Sequence, residues 1–103
     1  MTAAGEQPLR VARAAMGISH DDFFRVLPLV LADAEWRREG LSIHAEWPQG
    51  ARLVASISAQ GQRRIASLCL PCVDVELTFH GLDAAECASF VQRFDTAFQK
   101  GGG

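Results

Sequence analysis

The chain has 103 residues, 49% of them hydrophobic and 21% charged, and we assign residues 1–103 to a single globular domain. Ten Lys and Arg oppose twelve Asp and Glu; the net charge of −2 and the lack of a basic cluster argue against a nucleic-acid partner. The longest apolar run, 26–32, is too short to span a membrane. The N-terminus carries no recognisable export signal, and the cysteines are odd in number, so we expect a cytoplasmic protein with free thiols.

The beginning of the chain predicts a short helix. We expect residues 1–7 to be flexible. Pro8 can open a helix and Gly17 can close it, which would place Leu9 and Met16 on one face. The alternative is a frayed tail.

A second helix is predicted from Ser19 onward. Ser19 is a favourable N-cap, and Asp21 and Asp22 suit the positive end of a helix. Apolar residues then recur at helical spacing: Phe23, Val26, Leu27 and Val30. Pro28 has no N–H to donate, so we expect the helix to kink or end near it.

Two strands follow, at 41–47 and 53–59, because apolar and polar residues alternate in both. The residues between them, 48–50, form a three-residue loop with glycine at its left-handed position. This hairpin sets Ala45 opposite Leu53, and the apolar residues of both strands then share one face.

A third strand is predicted after a turn at 61–62, in a register that sets Leu53 opposite Leu70. After Pro71 the apolar positions change from even to odd numbers, and such a step requires a bulge or a turn. We predict a bulged or bent strand at Pro71, since a tight turn there would need a cis proline.

Residues 73–79 would then extend beyond the second strand with an unpaired edge. Val73, Val75 and Leu77 form the predicted partner-binding edge, which could receive a strand from a protein partner or from a second copy in a homodimer. The alternative is that the N-terminal segment or a longer first strand covers this edge.

The last part of the chain predicts a helix. Asp83 and Glu86 form a variant of the capping box, and an apolar stripe follows: Cys87, Phe90, Val91, Phe94, Ala97 and Phe98. Lys100 suits the negative helix end and Gly101 the C-cap, and we expect residues 101–103 to be flexible.

These elements predict an α+β fold, a two-layer sandwich. An antiparallel β-meander of three to four strands is flanked by an N-terminal helix and a C-terminal helix, which pack on one sheet face. The predicted core is as follows: Leu53, Ile57, Leu68, Val75, Leu77, Phe90, Val91, Phe94 and Phe98.

The run Cys69-Leu70-Pro71-Cys72 resembles thioredoxin-like C-x-x-C motifs, but only in these four residues. Those motifs lie at a helix N-terminus, and here a strand pattern follows. In a continuous strand, residues three apart lie about 10 Å apart on opposite faces, too far for a disulfide or a shared zinc. A thiol redox or metal-binding function of Cys69 and Cys72 is therefore the alternative interpretation.

His44 and His80 are the other metal-ligand candidates. Both fall on the polar sheet face with Glu46, Asp74 and Glu76, where solvated residues are expected without any function. A carboxylate–imidazole site would require that their strands be neighbours.

The terminal Gly101-Gly102-Gly103 resembles the end of ubiquitin-like sulfur carriers, which implies an activated terminal carboxylate. The resemblance covers three residues, and it departs from those proteins because this tail follows a helix. A carrier function is a third interpretation.

No catalytic residues and no cofactor site can be assembled from the sequence, because it offers no nucleophile–base pair, phosphate-binding glycine motif or complete set of metal ligands. We therefore predict a non-enzymatic protein-binding or accessory module.

Overall fold

The structure is a computed structural model that describes residues 8–101 of the chain. Its elements in chain order are β1 (Leu9–Met16), α1 (His20–Leu31), β2 (Glu35–Glu39), β3 (Ser42–Glu46), β4 (Arg52–Ile57), β5 (Gly61–Ile65), β6 (Leu68–His80) and α2 (Ala84–Gly101). The sheet is antiparallel and has the order β1-β6-β4-β3-β2, with β5 paired to the first part of β6. Both helices pack against this sheet, which confirms the predicted α+β fold with six strands instead of three to four.

Helix α1 begins as predicted. The backbone N–H of Asp22 donates to the hydroxyl of Ser19 at 3.1 Å, so Ser19 is the N-cap. The buried face of the helix consists of Phe23, Val26, Leu27, Val30 and Leu31. Pro28 lies inside the helix, which ends three residues later at Leu31.

Helix α2 begins with the predicted capping box. The Glu86 N–H donates to the Asp83 carboxylate at 2.8 Å, and the Asp83 N–H donates to the Glu86 carboxylate at 2.9 Å. The helix continues to Gly101, and the expectations for residues 1–7, Gly102 and Gly103 lie outside the described part of the chain.

The hairpin of β3 and β4 has the predicted register. Ala45 lies opposite Leu53, and the Trp47 N–H donates to the Ala51 carbonyl at 2.9 Å. Gly50 has a φ of 102°, which is the left-handed conformation that the loop requires.

The predicted short helix near the N-terminus is wrong, because this segment forms strand β1. It pairs along β6 from Leu9, opposite Phe79, to Met16, opposite Val73. Its many alanines fit a helical spacing as well as an alternating one. The segment is a strand because its backbone N–H and C=O groups pair with those of β6. A pattern within residues 8–17 cannot reveal this distant partner.

The prediction that residues 73–79 expose an edge is also wrong. β1 pairs with one side of this stretch and β4 with the other. The side chains of Val73, Val75 and Leu77 are buried in the core. The alternative stated for this edge, cover by the N-terminal segment, is the observed arrangement.

The register of the third strand differs from the prediction. Leu53 lies opposite Phe79 instead of Leu70. Both registers place apolar residues beside apolar residues on the same face, so the alternation could not separate them.

The predicted turn at residues 61–62 is also wrong. The chain runs straight through residues 61–62 and reverses at Ala66 and Ser67, so that Ile65 lies opposite Leu68. Ala66 has a φ of 55°, a conformation usually given to glycine or asparagine in hairpin turns. No such residue marks this turn.

The predicted bulge at Pro71 is not in β6, which runs through Pro71 as one strand. No peptide bond of the described residues is cis. Ile57 lies opposite Val75 and Gly61 opposite Cys72, so the odd step occurs on the other strand, between β4 and β5.

The core lies between the sheet and both helices, and α1 meets α2 where the rings of Phe23 and Phe98 stack at 5.7 Å. Most of the predicted core residues are buried there, but Leu68 is exposed and Val91 only partly buried. Neither α1 nor α2 is long and apolar enough to cross a membrane.

Candidate functional site

A two-stranded arm projects from the sheet. It comprises residues 61–72, namely β5 and the first five residues of β6, joined by the turn at Ala66 and Ser67. The described part of the chain measures 55 × 24 × 24 Å, which is an elongated shape. All residues from Gly61 to Leu70 are exposed, although several are apolar.

One face of the arm is apolar with a single cation. The ladder pairs Arg63 with Leu70 and Ile65 with Leu68, so these four side chains share a face. Ile65, Leu68 and Leu70 are 50%, 61% and 40% exposed. Exposed apolar side chains are ordinary when scattered, but a contiguous set on a projecting element is typical of an interaction surface.

The other face of the arm carries Gln62 beside Pro71 and Arg64 beside Cys69. Neither Arg63 nor Arg64 has a carboxylate within 4 Å among the described residues. The arm contains no Asp or Glu, so its net charge is +2, and the rest of the chain must carry −4 to reach the total of −2.

Asp74 organises the base of the arm. Its backbone N–H donates to the Ser58 hydroxyl at 2.9 Å, and its carbonyl accepts from the Ser58 N–H at 2.9 Å. Its carboxylate accepts from the Ala15 N–H at 2.7 Å, at a bulge where Ala15 has a φ of 52°. The chain is therefore irregular on both sides of Asp74, in β1 and between β4 and β5, and Asp74 forms hydrogen bonds to both irregular segments.

Helix α1 fixes the same base from the other side. The His20 N–H donates to the side-chain carbonyl of Gln60 at 2.8 Å, and the ring Nε2 of His20 donates to the Ser58 carbonyl at 2.9 Å. These contacts tie residues 58–60 to the core before the arm begins. The arm is thus held in one direction relative to the sheet.

The sheet face opposite the helices is open, and near the arm it contains an acidic groove. The groove is a depression of about 490 Å³ that we define by the residues on its open side: Ala12, Ala14, Ser56, Ser58, Asp74 and Glu76. Its walls are small side chains, and its centre carries two exposed carboxylates. Arg13 also borders it, but the guanidinium of Arg13 is bound to Asp95.

The three cysteines are free thiols. Cys69 and Cys72 lie three residues apart on one continuous strand, on opposite faces of the arm, and both are free. Cys87 is buried on α2, and this burial raises the pKa of its thiol.

The two histidines proposed as ligands lie on the open sheet face but not together. His44 is on β3 and His80 on β6, and β4 lies between these strands. His44 Nε2 is 3.6 Å from a carboxylate oxygen of Glu39, whose other oxygen accepts from Arg37 at 2.6 Å. The Arg37 hydrogen bond lowers the pKa of Glu39. Within residues 8–101, no three His, Cys, Asp or Glu side chains converge as metal ligands do.

The sequence analysis does not predict the arm, although one feature of the sequence indicates it. A strand pattern that runs from Leu68 to His80 is twice as long as β4, so part of it must either protrude or pair elsewhere. The change of apolar parity at Pro71 marks the position where the partner strand changes from β5 to β4.

Comparison of the chain with models of known protein families, with curated proteins and with solved structures gives no match.

Proposed function

We propose that this protein is a non-enzymatic protein-binding module and that the arm is the part that contacts the partner. The observation that carries this proposal is the apolar face formed by Ile65, Leu68 and Leu70 on an element that projects from the core. Leaving such a face in water costs roughly 1.5–3 kcal/mol per large side chain relative to full burial, and a partner surface would recover part of it.

The rigid base of the arm supports the same proposal. Binding elements lose less conformational entropy when they are held in position before the partner arrives. The hydrogen bonds of Asp74, Ser58 and His20 provide this preorganisation. We place the binding in the cytoplasm, where the three cysteines would remain reduced, and we propose a protein instead of a nucleic acid as the partner because the chain is acidic overall.

The two alternatives receive less support. Cys69 and Cys72 lie on opposite faces of the arm, so one metal ion or one disulfide does not fit them without rearrangement of the strand. The carrier interpretation depends on Gly102 and Gly103, which lie outside the described residues.

The proposal is tested by site-specific photo-crosslinking of the full chain in its native host. A photoreactive residue replaces Leu68 on the arm in one variant and Leu29 in the control. Leu29 is on α1 and is 77% exposed, so it matches Leu68 in exposure and in residue type. We expect a discrete adduct from position 68 and no such adduct from position 29.

The chain with the photoreactive residue at position 68 should lose most of this adduct when it also carries Ile65→Ser and Leu70→Ser. No adduct from position 68, or equal adducts from both positions, would contradict an arm-mediated function.

A further inference from the structure

The apolar face of the arm and the acidic groove lie on the same side of one strand. In β6, Asp74, Glu76 and Thr78 point to the open side of the sheet, whereas the odd-numbered residues between them are buried. Leu68 and Leu70 are also even-numbered, and β6 is not interrupted between them and Asp74. Apart from the twist of the strand, the arm face with Arg63 therefore continues the face that contains the groove.

The two surfaces are complementary in charge and in shape. Arg63 is a cation without a carboxylate within 4 Å, and Glu76 is an exposed carboxylate without a cation within 4 Å among the described residues. The groove walls are alanine and serine, which leave room for large side chains such as Leu70. The nearest arginine on the open side of β1, Arg10, lies one row away, opposite Thr78, and it does not border the groove.

We propose that the partner of the arm is a second copy of this chain and that each arm lies in the acidic groove of the other copy. This inference rests on the proposed function, because it names the partner of the same arm. Two-fold symmetry is the commonest symmetry of protein dimers, and it requires a surface whose two halves complement each other. The open side of β6 has this property.

A two-fold axis that lies between the two copies, parallel to the open sheet face and perpendicular to β6 at the level of Val73, relates the two halves. Leu70, at the level of Arg63, lies three residues before Val73, and Glu76 lies three residues after it. This axis therefore places Leu70 and Arg63 of one copy over Glu76 of the other, with roughly 20 Å between the two symmetric contacts. It also places Leu68 over Thr78, next to the half-buried Val54.

The proposal makes a charge-exchange experiment possible. Sedimentation velocity of the full chain at increasing concentration should show a dimer of the wild type that weakens in high salt. Arg63→Glu and Glu76→Arg should each weaken the dimer about tenfold, because every substitution turns two symmetric attractions into repulsions. The double variant Arg63→Glu/Glu76→Arg should restore most of the affinity, which also shows that both single variants can fold.

Arg93→Glu is the matched control, since Arg93 is an exposed arginine on α2, away from both surfaces. It should leave the dimer unchanged. A wild type that stays monomeric at the highest attainable concentration, or a double variant as weak as the singles, would overturn the dimer. A monomer that still gives an arm-dependent adduct with a different protein would overturn the dimer alone and leave the proposed binding function in place.

Discussion

Arg13 on β1 and Asp95 on α2 form the contact that joins the first strand to the last helix. The Nε of Arg13 donates to one carboxylate oxygen of Asp95 at 3.2 Å, and Nη2 donates to the other at 2.9 Å. This two-point contact raises the pKa of Arg13, chiefly through the hydrogen bonds to Asp95. Arg13 points to the helix side of the sheet, so it links β1 to the helical layer.

The Arg13–Asp95 pair should contribute modestly to stability. Both side chains are 37% exposed, so water screens the attraction, and we expect a coupling free energy of about 0.5–1 kcal/mol from a double-mutant cycle with Arg13→Ala and Asp95→Ala. The exposed Arg25–Asp22 pair on α1 is the control and should give about 0.3–0.5 kcal/mol. Urea unfolding checks both values, and equal couplings of zero would show that the two-point geometry adds nothing.

Phe94→Ala should destabilise the protein by about 3–5 kcal/mol, because it removes a fully buried ring and leaves a cavity. The ring of Phe94 lies 4.5 Å from that of Phe98, in the layer between α2 and the sheet. Leu29→Ala on the exposed face of α1 is the control, with an expected change within about 0.5 kcal/mol. A similar small change for Phe94→Ala in urea unfolding would contradict its place in the core.

Gly81→Ala should destabilise the protein by at least about 1–2 kcal/mol, the cost of a left-handed conformation for a residue with a side chain. Gly81 has a φ of 82°, and a Cβ there would lie 3.3 Å from the Cα of Ala51. Gly17→Ala is the control, since Gly17 has open space around it and no positive φ. Its effect should be close to zero in thermal unfolding; equal losses at both positions would contradict the described turn.

The variant Cys69→Ser/Cys72→Ser should keep the fold and the stability of the wild type in reducing buffer. Cys69 is exposed on the arm, and neither sulfur is bonded to the other. Metal analysis of protein purified from the native host, together with urea unfolding of both forms, checks this prediction. A bound metal that the double variant loses would restore the metal-binding interpretation.

Cys87 should make stability fall at alkaline pH. Burial raises the pKa of its thiol, so the folded chain holds this proton more tightly than the unfolded chain does. The protonated thiol therefore makes its full contribution to the free energy of unfolding below the ordinary thiol pKa of about 8.5. This contribution is lost as the pH rises through the higher pKa of Cys87 in the folded chain. The difference in unfolding free energy between wild type and Cys87→Ala should therefore decrease from neutral to alkaline pH, and a difference that stays constant would contradict this prediction.

The parts of the fold that local sequence predicts are those whose signals are redundant. The helix with Ser19 as its cap and the helix with the Asp83–Glu86 box each combine a cap with an apolar stripe. The β3–β4 hairpin combines alternation with a glycine at its left-handed position. Agreement between two independent local signals leaves few competing structures.

The remaining parts depend on distant partners. The alanine-rich segment of β1 is a strand because β6 offers it the edge that β4 does not occupy. Alternation leaves the register open because the apolar positions change from even to odd numbers at Pro71, so that Leu53 can meet an apolar residue opposite either Leu70 or Phe79. The arm went unpredicted for the same reason, and because the turn residue Ala66 belongs to no usual turn signature.

The position of β1 has a consequence for synthesis of the protein. Leu9 pairs with Phe79, so the first strand must wait until most of the chain has left the ribosome before its partner exists. During this interval β1 is an open strand that could join a foreign sheet. Arg10 and Arg13 place a charge on each of its faces, and charged side chains are the usual protection of exposed strands against such pairing. A chain with both arginines changed to leucine should therefore aggregate during synthesis, before β6 is available to pair with β1.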